Sequence, residues 1–469
     1  MNYDAILGLP STKTFDDAGA TFNAHRRRLL RVFPRGGCSI TGLLSMIKSE
    51  PVTDPTFTCY PKHWKFPFTT LRGTNPCTSN APSTGDANDG TATSGALTTT
   101  TVVYIKIATT FDMRVGTVIQ LGNLTTSPQF RVTAVTRGVS SESLLGYVTA
   151  NPIRAYTFAA LAAATNVMIV GHSAGEGASG TGFTQAGYRL PCTVVNQTQI
   201  FRHHADFTGT ALQQETKFDS EPYYKDRMRD LCLEHMVALE SQVIFGQRSN
   251  TVRASQDSGQ GSLIHRTFGG IIEHLRLWDA GSTGLTIDGA TYAPYSHKAI
   301  SSSDSDFGKR IIDNSTGQFT YDNWTDWMER SFRFTVSPKN GDRIALCGGG
   351  ALNAMNMMLR KGSNFNVSYG DDAYGFKFNT LQTQYGSLHF TDHPLMSDAS
   401  SPLRNSILII DPMAFRLRPM INRDTRIRSN IQNPGDDFRR DEYHSEIGLE
   451  VLGVESCMLI NNLQSFIVT

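Results

Sequence analysis

The chain has 469 residues and a formal net charge of +1, because 43 Lys and Arg stand against 42 Asp and Glu. This balance gives no global signal for binding nucleic acid or an anionic membrane surface. Charged residues make up 18% of the chain, below the roughly 25% of an average soluble protein. Such sparse charge is typical of a protein whose surface is covered by other copies of itself.

The sequence predicts a cytosol-like compartment and no membrane partner. No apolar run approaches the roughly 18 residues of a membrane-spanning helix, and the N-terminus lacks the basic and then apolar order of a signal peptide. The seven cysteines are scattered singly, without a CxxC pair. We therefore predict free thiols, and neither a zinc site nor a disulfide framework.

Residues 1–98 are punctuated by proline and have no core-forming pattern beyond one short amphipathic segment at residues 18–32. Residues 73–100 consist mostly of Ser, Thr, Gly, Asn and Asp. Because such a segment has little to bury, we expect an extended N-terminal arm that becomes ordered only by lying on neighbouring copies.

The predicted arm carries a cluster of arginines that could contact the phosphates of DNA. Two alternatives remain open at this point: the cluster pairs with carboxylates of neighbouring chains, or it is simply solvated. Its arginines are Arg26, Arg27, Arg28, Arg31 and Arg35.

From about residue 100 to residue 195 the pattern predicts strands, since β-branched residues alternate with polar ones between turn residues. Near the end of this region, Gly171, Ser173 and Gly175 match the nucleophile elbow of α/β-hydrolases. That motif requires a helix directly after the serine, but residues 176–191 are rich in glycine and end in proline. We therefore predict a β-turn at a strand end and no catalytic serine.

The longest single element that the sequence predicts is a helix over residues 220–247. Ser220 is a suitable N-cap, Pro222 suits the first turn, and Gly246 allows a left-handed residue at the end. Apolar residues recur at steps of three and four, which predicts that one side of the helix rests on a sheet. This stripe consists of Tyr224, Met228, Leu231, His235, Leu239 and Val243.

Further along, residues 321–333 read as a helix with Trp324 and Trp327 on its buried side. A strand at 343–347 is followed by three glycines and a helix over 351–361. These glycines do not match the dinucleotide-binding pattern, because Asn353 stands where the third glycine belongs. No cofactor and no metal site are predicted.

The last part of the chain alternates apolar and polar residues persistently, which predicts strands. It also interleaves charges of both signs, a pattern that favours ion pairs between subunits. One exposed pair contributes only about 0 to 1 kcal/mol, so such pairs would act mainly on register and orientation. The residues are Arg423, Arg426, Arg428, Asp436, Asp437, Arg439, Arg440 and Glu442.

The order of these parts resembles the major capsid proteins of tailed bacteriophages with the Hong Kong 97-like fold, in a branch with an enlarged extended loop. Local phrases carry the resemblance across nearly the whole chain. They are NQTQIF (196–201), FTGTA (207–211), HRTFGGI (265–271), ILIIDP (407–412) and EIGLEVLGVESCMLINNL (446–463).

The resemblance implies a mixed α+β capsid fold with five parts. They are an N-terminal arm (1–98), an extended loop with an inserted β unit (99–200), a peripheral domain with a spine helix at about 220–247 (201–270), an axial domain (271–421) and return strands of the peripheral domain (422–469).

The resemblance also implies a function: a subunit that self-assembles, as hexamers and pentamers, into an icosahedral shell around the double-stranded DNA of a phage of the Caudoviricetes. The shell would be assembled in the host bacterial cytoplasm and would have no enzymatic activity. No long, charged, helical segment precedes the arm, so the helper implied is a separate scaffolding protein. A portal, a cement protein and the packaged DNA are the other implied partners.

Two other functions are compatible with the residues. One is another structural subunit of the virion, such as a tail tube or a spike, although neither sequence repeats nor coiled-coil heptads are present. The other is a serine hydrolase that uses Ser173.

Overall fold

The computed structural model of the chain has its described residues in eighteen stretches. They are residues 43–44, 47–62, 68–71, 95–107, 110, 112–122, 129–137, 146–158, 161–162, 165–177, 191–213, 223–252, 264–281, 283–295, 308–336, 341–361, 367–373 and 376–467.

The chain forms two compact units, one of which is inserted into the other. The first unit is made of Met1–Pro61 and Cys192–Thr469, and the second is Lys62–Pro191. Helices and strands are mixed along the described residues, which confirms the predicted mixed α+β class. The helices are α1 (Gly209–Gln213), α2 (Tyr223–Phe245), α3 (Ile271–Ala280), α4 (Tyr321–Phe332), α5 (Gly349–Lys361) and α6 (Pro394–Ser397).

The inserted unit is built from antiparallel strands. Six of them form one sheet in the order β3-β10-β6-β7-β8-β5, and a bridge between Leu71 and Ile107 joins the two ends of this order. Its core contains Ile105, Ile119 and Phe130, all without exposed surface. The strands of this unit are β3 (Phe68–Thr70), β4 (Gly95–Leu97), β5 (Val103–Ile107), β6 (Thr117–Leu121), β7 (Gln129–Arg137), β8 (Gly146–Pro152), β9 (Tyr156–Phe158) and β10 (Asn166–His172).

The larger unit contains two main sheets, which share one hydrophobic core with helices α2 and α3. The second sheet also packs with helices α4 and α5 in a separate core. One sheet has the order β1-β24-β26-β12, with β25 also paired to β26. The other has the order β17-β27-β23-β19-β22-β21-β20. The strands of the first sheet are β1 (Lys48–Ser49), β12 (Gln199–Thr208), β24 (Phe415–Pro419), β25 (Arg426–Arg428) and β26 (Phe438–Val451). Those of the second are β17 (Ile311–Asp313), β19 (Asp342–Cys347), β20 (Val367–Ala373), β21 (Phe376–Gln382), β22 (Ser387–Asp392), β23 (Ile407–Ile410) and β27 (Met458–Asn461).

Four two-stranded ladders complete the larger unit; their pairings are β2–β11, β13–β14, β15–β16 and β18–β28. The strands are β2 (Thr56–Cys59), β11 (Val194–Gln197), β13 (Ser249–Val252), β14 (Ile264–Thr267), β15 (Leu285–Ile287), β16 (Ala290–Tyr292), β18 (Gln318–Phe319) and β28 (Ser465–Phe466).

The predicted spine helix is α2, which runs from Tyr223 to Phe245 and packs on the first sheet. The predicted stripe lies on its buried side: five of the six residues are buried and Tyr224 is partly buried. Buried Leu239 and Val243 belong to the same core cluster as Phe201 of β12 and Leu449 of β26. The proposed N-cap and first-turn positions, 220 and 222, lie outside the described residues.

The prediction that Gly246 closes the spine helix in a left-handed conformation is wrong, because Gly246 is not among the glycines with positive φ. Its amide still donates to the carbonyl of Gln242 at 2.8 Å. Glycine is needed there for a close approach instead: a Cβ would lie 2.7 Å from the carbonyl oxygen of Phe268. At Gly270 a Cβ would lie 2.7 Å from the carbonyl oxygen of Val243. Gly270 thus lets this turn pass against the end of the spine helix.

The second sheet and its helices agree closely with the sequence. Strand β19 covers the strand predicted at residues 343–347, and β23 is buried at all four positions. Helix α4 buries Trp324, Trp327, Met328 and Ser331. Helix α5 begins two residues earlier than predicted, at Gly349.

The expectation that residues 1–98 rest only on neighbouring copies is wrong for those that the structure describes. Strand β1 pairs in parallel with β24 of the same chain, and β2 pairs with β11. Leu43 and Ile47 are buried in the subunit's own core. The physical reason is that this short stretch carries enough apolar side chains to fill a place in that core.

Candidate assembly surface

A buried asparagine joins three of the phrases that carry the family resemblance. Asn196 is 2% exposed, and its amide nitrogen donates to the carbonyls of Gly269, at 2.9 Å, and Leu449, at 2.7 Å. Its side-chain oxygen accepts the amide of Gly269 at 2.9 Å. One side chain thereby satisfies backbone groups of the glycine turn and of β26, which would be costly to leave unpaired in the core.

One face of the first sheet is lined with glutamates that lie beneath arginines. The carboxylates belong to β26, at positions 442, 446 and 450, and their side chains are only 2 to 6% exposed. Arg202 donates two hydrogen bonds to Glu442, at 2.7 and 3.0 Å, and is itself 60% exposed. Arg418 binds Glu450 at 2.5 Å. The carboxylates of the glutamates therefore form the buried layer of this face, and the guanidinium groups of the arginines cover them.

Several residues of the predicted inter-subunit set have partners within their own chain. Glu442 accepts from Arg202 and lies 3.8 Å from Arg428, and Arg423 binds Glu446. Arg440 makes a two-pronged contact with Asp206, with both distances 2.6 Å.

Arg439 belongs to a small network at the start of the spine helix. It binds Asp441 at 2.9 Å, and the hydroxyl of Tyr224 donates to the same carboxylate at 2.6 Å. Burial raises the pKa of Asp441, but the hydrogen bonds from Arg439 and Tyr224 outweigh it, so this pKa lies below its usual value.

The three remaining residues of the set are different. Arg426, Asp436 and Asp437 are exposed, and no salt bridge joins any of them to another described residue of the chain. Arg426 lies on β25, and the two aspartates lie in the loop that leads from β25 to β26. Exposed charges of opposite sign thus lie on β25 and in the loop that follows it. The basic cluster at residues 26–35 lies outside the described residues.

A histidine pair lies between the spine helix and the first sheet. The Nδ1 atoms of His203 and His235 are 2.9 Å apart, and Nε2 of His235 lies 2.6 Å from the hydroxyl of Ser445. Burial, together with the charges of His203 and His444, lowers the pKa of His235 to about 4. The helix is therefore fixed to the sheet by a neutral histidine.

Two buried polar contacts were not predicted from the sequence. Arg343 of β19 binds Asp411 at 3.0 Å, and Glu240 of the spine helix lies 3.2 Å from His393, all with side chains at most 1% exposed. The contact of Glu240 with His393 had one indication in the sequence: Glu240 directly follows Leu239 of the apolar stripe. A charge at the edge of a buried stripe requires a partner.

Ser173 lies in the inserted unit, directly after β10, and is exposed. Its amide donates to the carbonyl of Gly116 at 2.8 Å. Residues 173–177 contain no helix, and a turn occurs at 176–177, as predicted for a strand end. Among the described residues, no group of three or more His, Cys, Asp and Glu could hold a metal.

The long helix on a sheet of long strands, beside a second mixed sheet, is the fold of a Hong Kong 97-like capsid subunit, as predicted. The chain belongs to the SU10 major capsid protein family, whose model matches residues 39–464. It is thus a major capsid protein, a subunit of the shell of a tailed phage, and its place is the virion. Copies of this chain assemble with one another into that shell.

Solved structures of low sequence identity are similar over most of the chain. The holo-SrpI encapsulin complex from Synechococcus elongatus PCC 7942 is 9% identical, with 98% of this chain and 97% of that chain covered and a TM-score of 0.40. A chain from Mycobacterium phage Bobi is 8% identical, with 96% and 98% covered and a TM-score of 0.40. No curated protein matches the chain. Because these identities and TM-scores are low, the family match alone carries the assignment.

None of the described helices combines the length and the apolar character that a membrane crossing requires.

Proposed function

We propose that the chain forms an icosahedral shell of hexamers and pentamers that encloses the double-stranded DNA of its phage. The observation that carries this proposal is the family match, which extends over residues 39–464. A closed shell of one protein needs subunits that meet through several different edges. An exposed charged face and an inserted β unit are features that suit such repeated contacts.

The proposal includes a division of labour along the chain. The segment before the inserted unit, residues 1–61, acts as an arm whose first part, up to about residue 42, lies on neighbouring copies. The inserted unit, Lys62–Pro191, acts as the extended loop instead of residues 99–200, because β3 and β4 precede residue 99 and pair with strands of this unit. Residues 201–270 and 422–469 form the peripheral domain, and residues 271–421 form the axial domain. Support comes from the helix α2 and strand β26, which lie in the two proposed halves of the peripheral domain and pack together.

The partners are a separate scaffolding protein, a portal and a cement protein, with assembly in the host bacterial cytoplasm. Packaged DNA is contacted through its phosphates without sequence preference, and the arginines of the arm at 26, 27, 28, 31 and 35 are the groups proposed for this contact. We propose no catalytic activity, which the lack of a helix at residues 173–177, directly after β10, supports.

Arg426, Asp436 and Asp437 are proposed to form ion pairs between subunits, because they are exposed and carry opposite charges. The residues of the same set that already have partners in their own chain contribute by presenting an ordered, basic face. Such contacts are individually weak, but a shell repeats each of them many times.

The experiment is to purify the assembled particles, treat them with DNase, extract the protected DNA and view the particles by electron microscopy. We expect closed shells that protect double-stranded DNA. Open tubes without protected DNA would instead support a tail tube subunit.

A further inference from the structure

The carboxylate of Glu240 holds together three parts of the chain that are far apart in sequence. Its Oε1 accepts the amide of Leu43 at 3.1 Å, and its Oε2 accepts the amide of Leu44 at 3.3 Å. Oε1 also lies 3.2 Å from Nε2 of His393. The partners are 197, 196 and 153 residues away from Glu240.

The site is buried on all sides. Glu240, His393 and Leu43 have no exposed surface. A carboxylate in such a place is stable only when hydrogen-bond donors surround it, and two backbone amides and an imidazole are such donors. The burial also means that water cannot replace a partner that is removed.

Each partner of Glu240 is itself fixed to a different element. Leu43 accepts the amide of Ile47, and both side chains belong to the main core cluster. Strand β1, which pairs with β24, begins directly after Ile47. His393 follows β22, and its amide donates to the carbonyl of Cys347 at the end of β19. Glu240 thus connects the N-terminal segment, the spine helix and the second sheet.

We propose that Glu240 is the attachment point of the N-terminal segment, so that the charge of this one carboxylate decides whether residues 43–49 are held against the spine helix. Removal of the charge releases this stretch, including β1 at the edge of the first sheet, and leaves the other strands of both sheets folded. The attachment stands on the contacts just described. Only its consequence for the shell rests on the proposed role of residues 1–61 as an arm: a force on the arm reaches the spine helix and the second sheet through Glu240.

The test is hydrogen exchange of the full-length protein carrying Glu240→Gln. Glutamine has the same shape, but its NH2 group faces an amide donor where the carboxylate oxygen had accepted. We expect the amides of residues 43–49 to exchange at least about tenfold faster, while residues 447–451 of β26 are unchanged. Glu234→Gln is the matched control, since Glu234 is an exposed glutamate of the same helix that pairs with Arg227; it should change neither region.

Two further variants keep the test decisive if Glu240→Gln folds poorly. Glu240→Asp retains the charge but is shorter by one methylene, and His393→Gln leaves both amide contacts in place. Both variants should increase hydrogen exchange at residues 43–49 by less than Glu240→Gln does. Unchanged exchange at residues 43–49 in every variant would overturn the proposal, as would an equal increase in both regions.

The same variants separate this inference from the proposed function. If wild-type protein forms shells and exchange is unchanged in the variants, the attachment is wrong and the shell function stands. If wild-type protein forms no shells but exchange increases at residues 43–49, the attachment stands and the shell function is wrong.

Discussion

The side-chain amide of Asn196 donates a hydrogen bond to the backbone carbonyl of Leu449 at 2.7 Å, although 253 residues separate the two in sequence. Because the same side chain also pairs with both backbone groups of Gly269, Asn196→Ala would leave several buried polar groups without partners. We expect the free energy of unfolding to fall by about 2 to 4 kcal/mol. Urea unfolding of the unassembled subunit measures it.

A matched control for this variant is Asn323→Ala. Asn323 is an exposed asparagine in the first turn of α4, and its backbone amide, not its side chain, donates to the hydroxyl of the cap Thr320. Its replacement should change the free energy of unfolding by no more than about 0.5 kcal/mol. Equal effects of the two substitutions would contradict the role given to Asn196.

Gly270 is expected to tolerate no side chain. In Gly270→Ala the new Cβ would lie 2.7 Å from backbone oxygens at the end of the spine helix, so the backbone must shift. The expected destabilisation is about 1 to 3 kcal/mol, measured by thermal or urea unfolding. Gly171→Ala is the control, because a Cβ there meets nothing within 4 Å; destabilisation by that change as well would argue against a steric cause.

The elements were predictable where local pattern decides them. The six-residue stripe of the spine helix and the buried side of α4 follow from steps of three and four residues, which the structure confirms. Glycine was recognised at position 246, but the reason was visible only once the Phe268 carbonyl lay beside the helix end. Local sequence cannot predict such contacts, because they depend on which distant segments meet.

The candidate surface was predictable in composition but not in pairing. A dense mixture of charges at residues 423–442 indicated ion pairs, yet the partners Asp206 and Arg202 come from β12, more than two hundred residues earlier. The same limit applies to Glu240 and His393. The packing of distant segments decides these pairs, and residue type alone does not.

Acid is expected to weaken the contact between the spine helix and its sheet. Burial lowers the pKa of His235 to about 4, from 6.5. Between these values the unfolded chain binds a proton that the folded chain does not, so the free energy of unfolding falls as the pH falls from 6.5 to 4. For this histidine the loss at pH 5 is at most about 2 kcal/mol.

The measurement is urea unfolding at pH 7.5 and pH 5 for the wild type and for His235→Gln. Part of the pH dependence should disappear in the variant. Some should remain, because burial also lowers the pKa of His274 to about 4. An identical pH dependence in both proteins would contradict this account of His235.

Charge reversal at Arg426 tests the proposed ion pairs between subunits. Arg426→Glu should make assembled shells dissociate at a lower urea concentration, although a single exposed pair contributes only about 0 to 1 kcal/mol, because the contact is repeated over the shell. Adding Asp436→Lys and Asp437→Lys should restore stability if these residues are the partners. Lys225→Glu, an exposed reversal on the spine helix, is the control, and an effect equal to that of Arg426→Glu would count against the proposal.

Substitution of Ser173 is expected to have no effect on the particle. Ser173→Ala removes the only hydroxyl of the motif at an exposed strand end, and residues 173–177 contain no helix that could present an oxyanion site. Shell yield and any esterase turnover should equal those of the wild type. Loss of a clear esterase activity in the variant would instead support a hydrolase.

The central claim is that copies of this chain form a closed shell, and a cryo-electron microscopy reconstruction of the purified particle tests it most directly. The account predicts an icosahedral lattice of pentamers and hexamers in which Arg426 and the 436–437 loop of different copies meet. A sample that contains only monomers or small closed oligomers, in which Arg426 and the 436–437 loop are open to solvent, would contradict the claim of a closed shell.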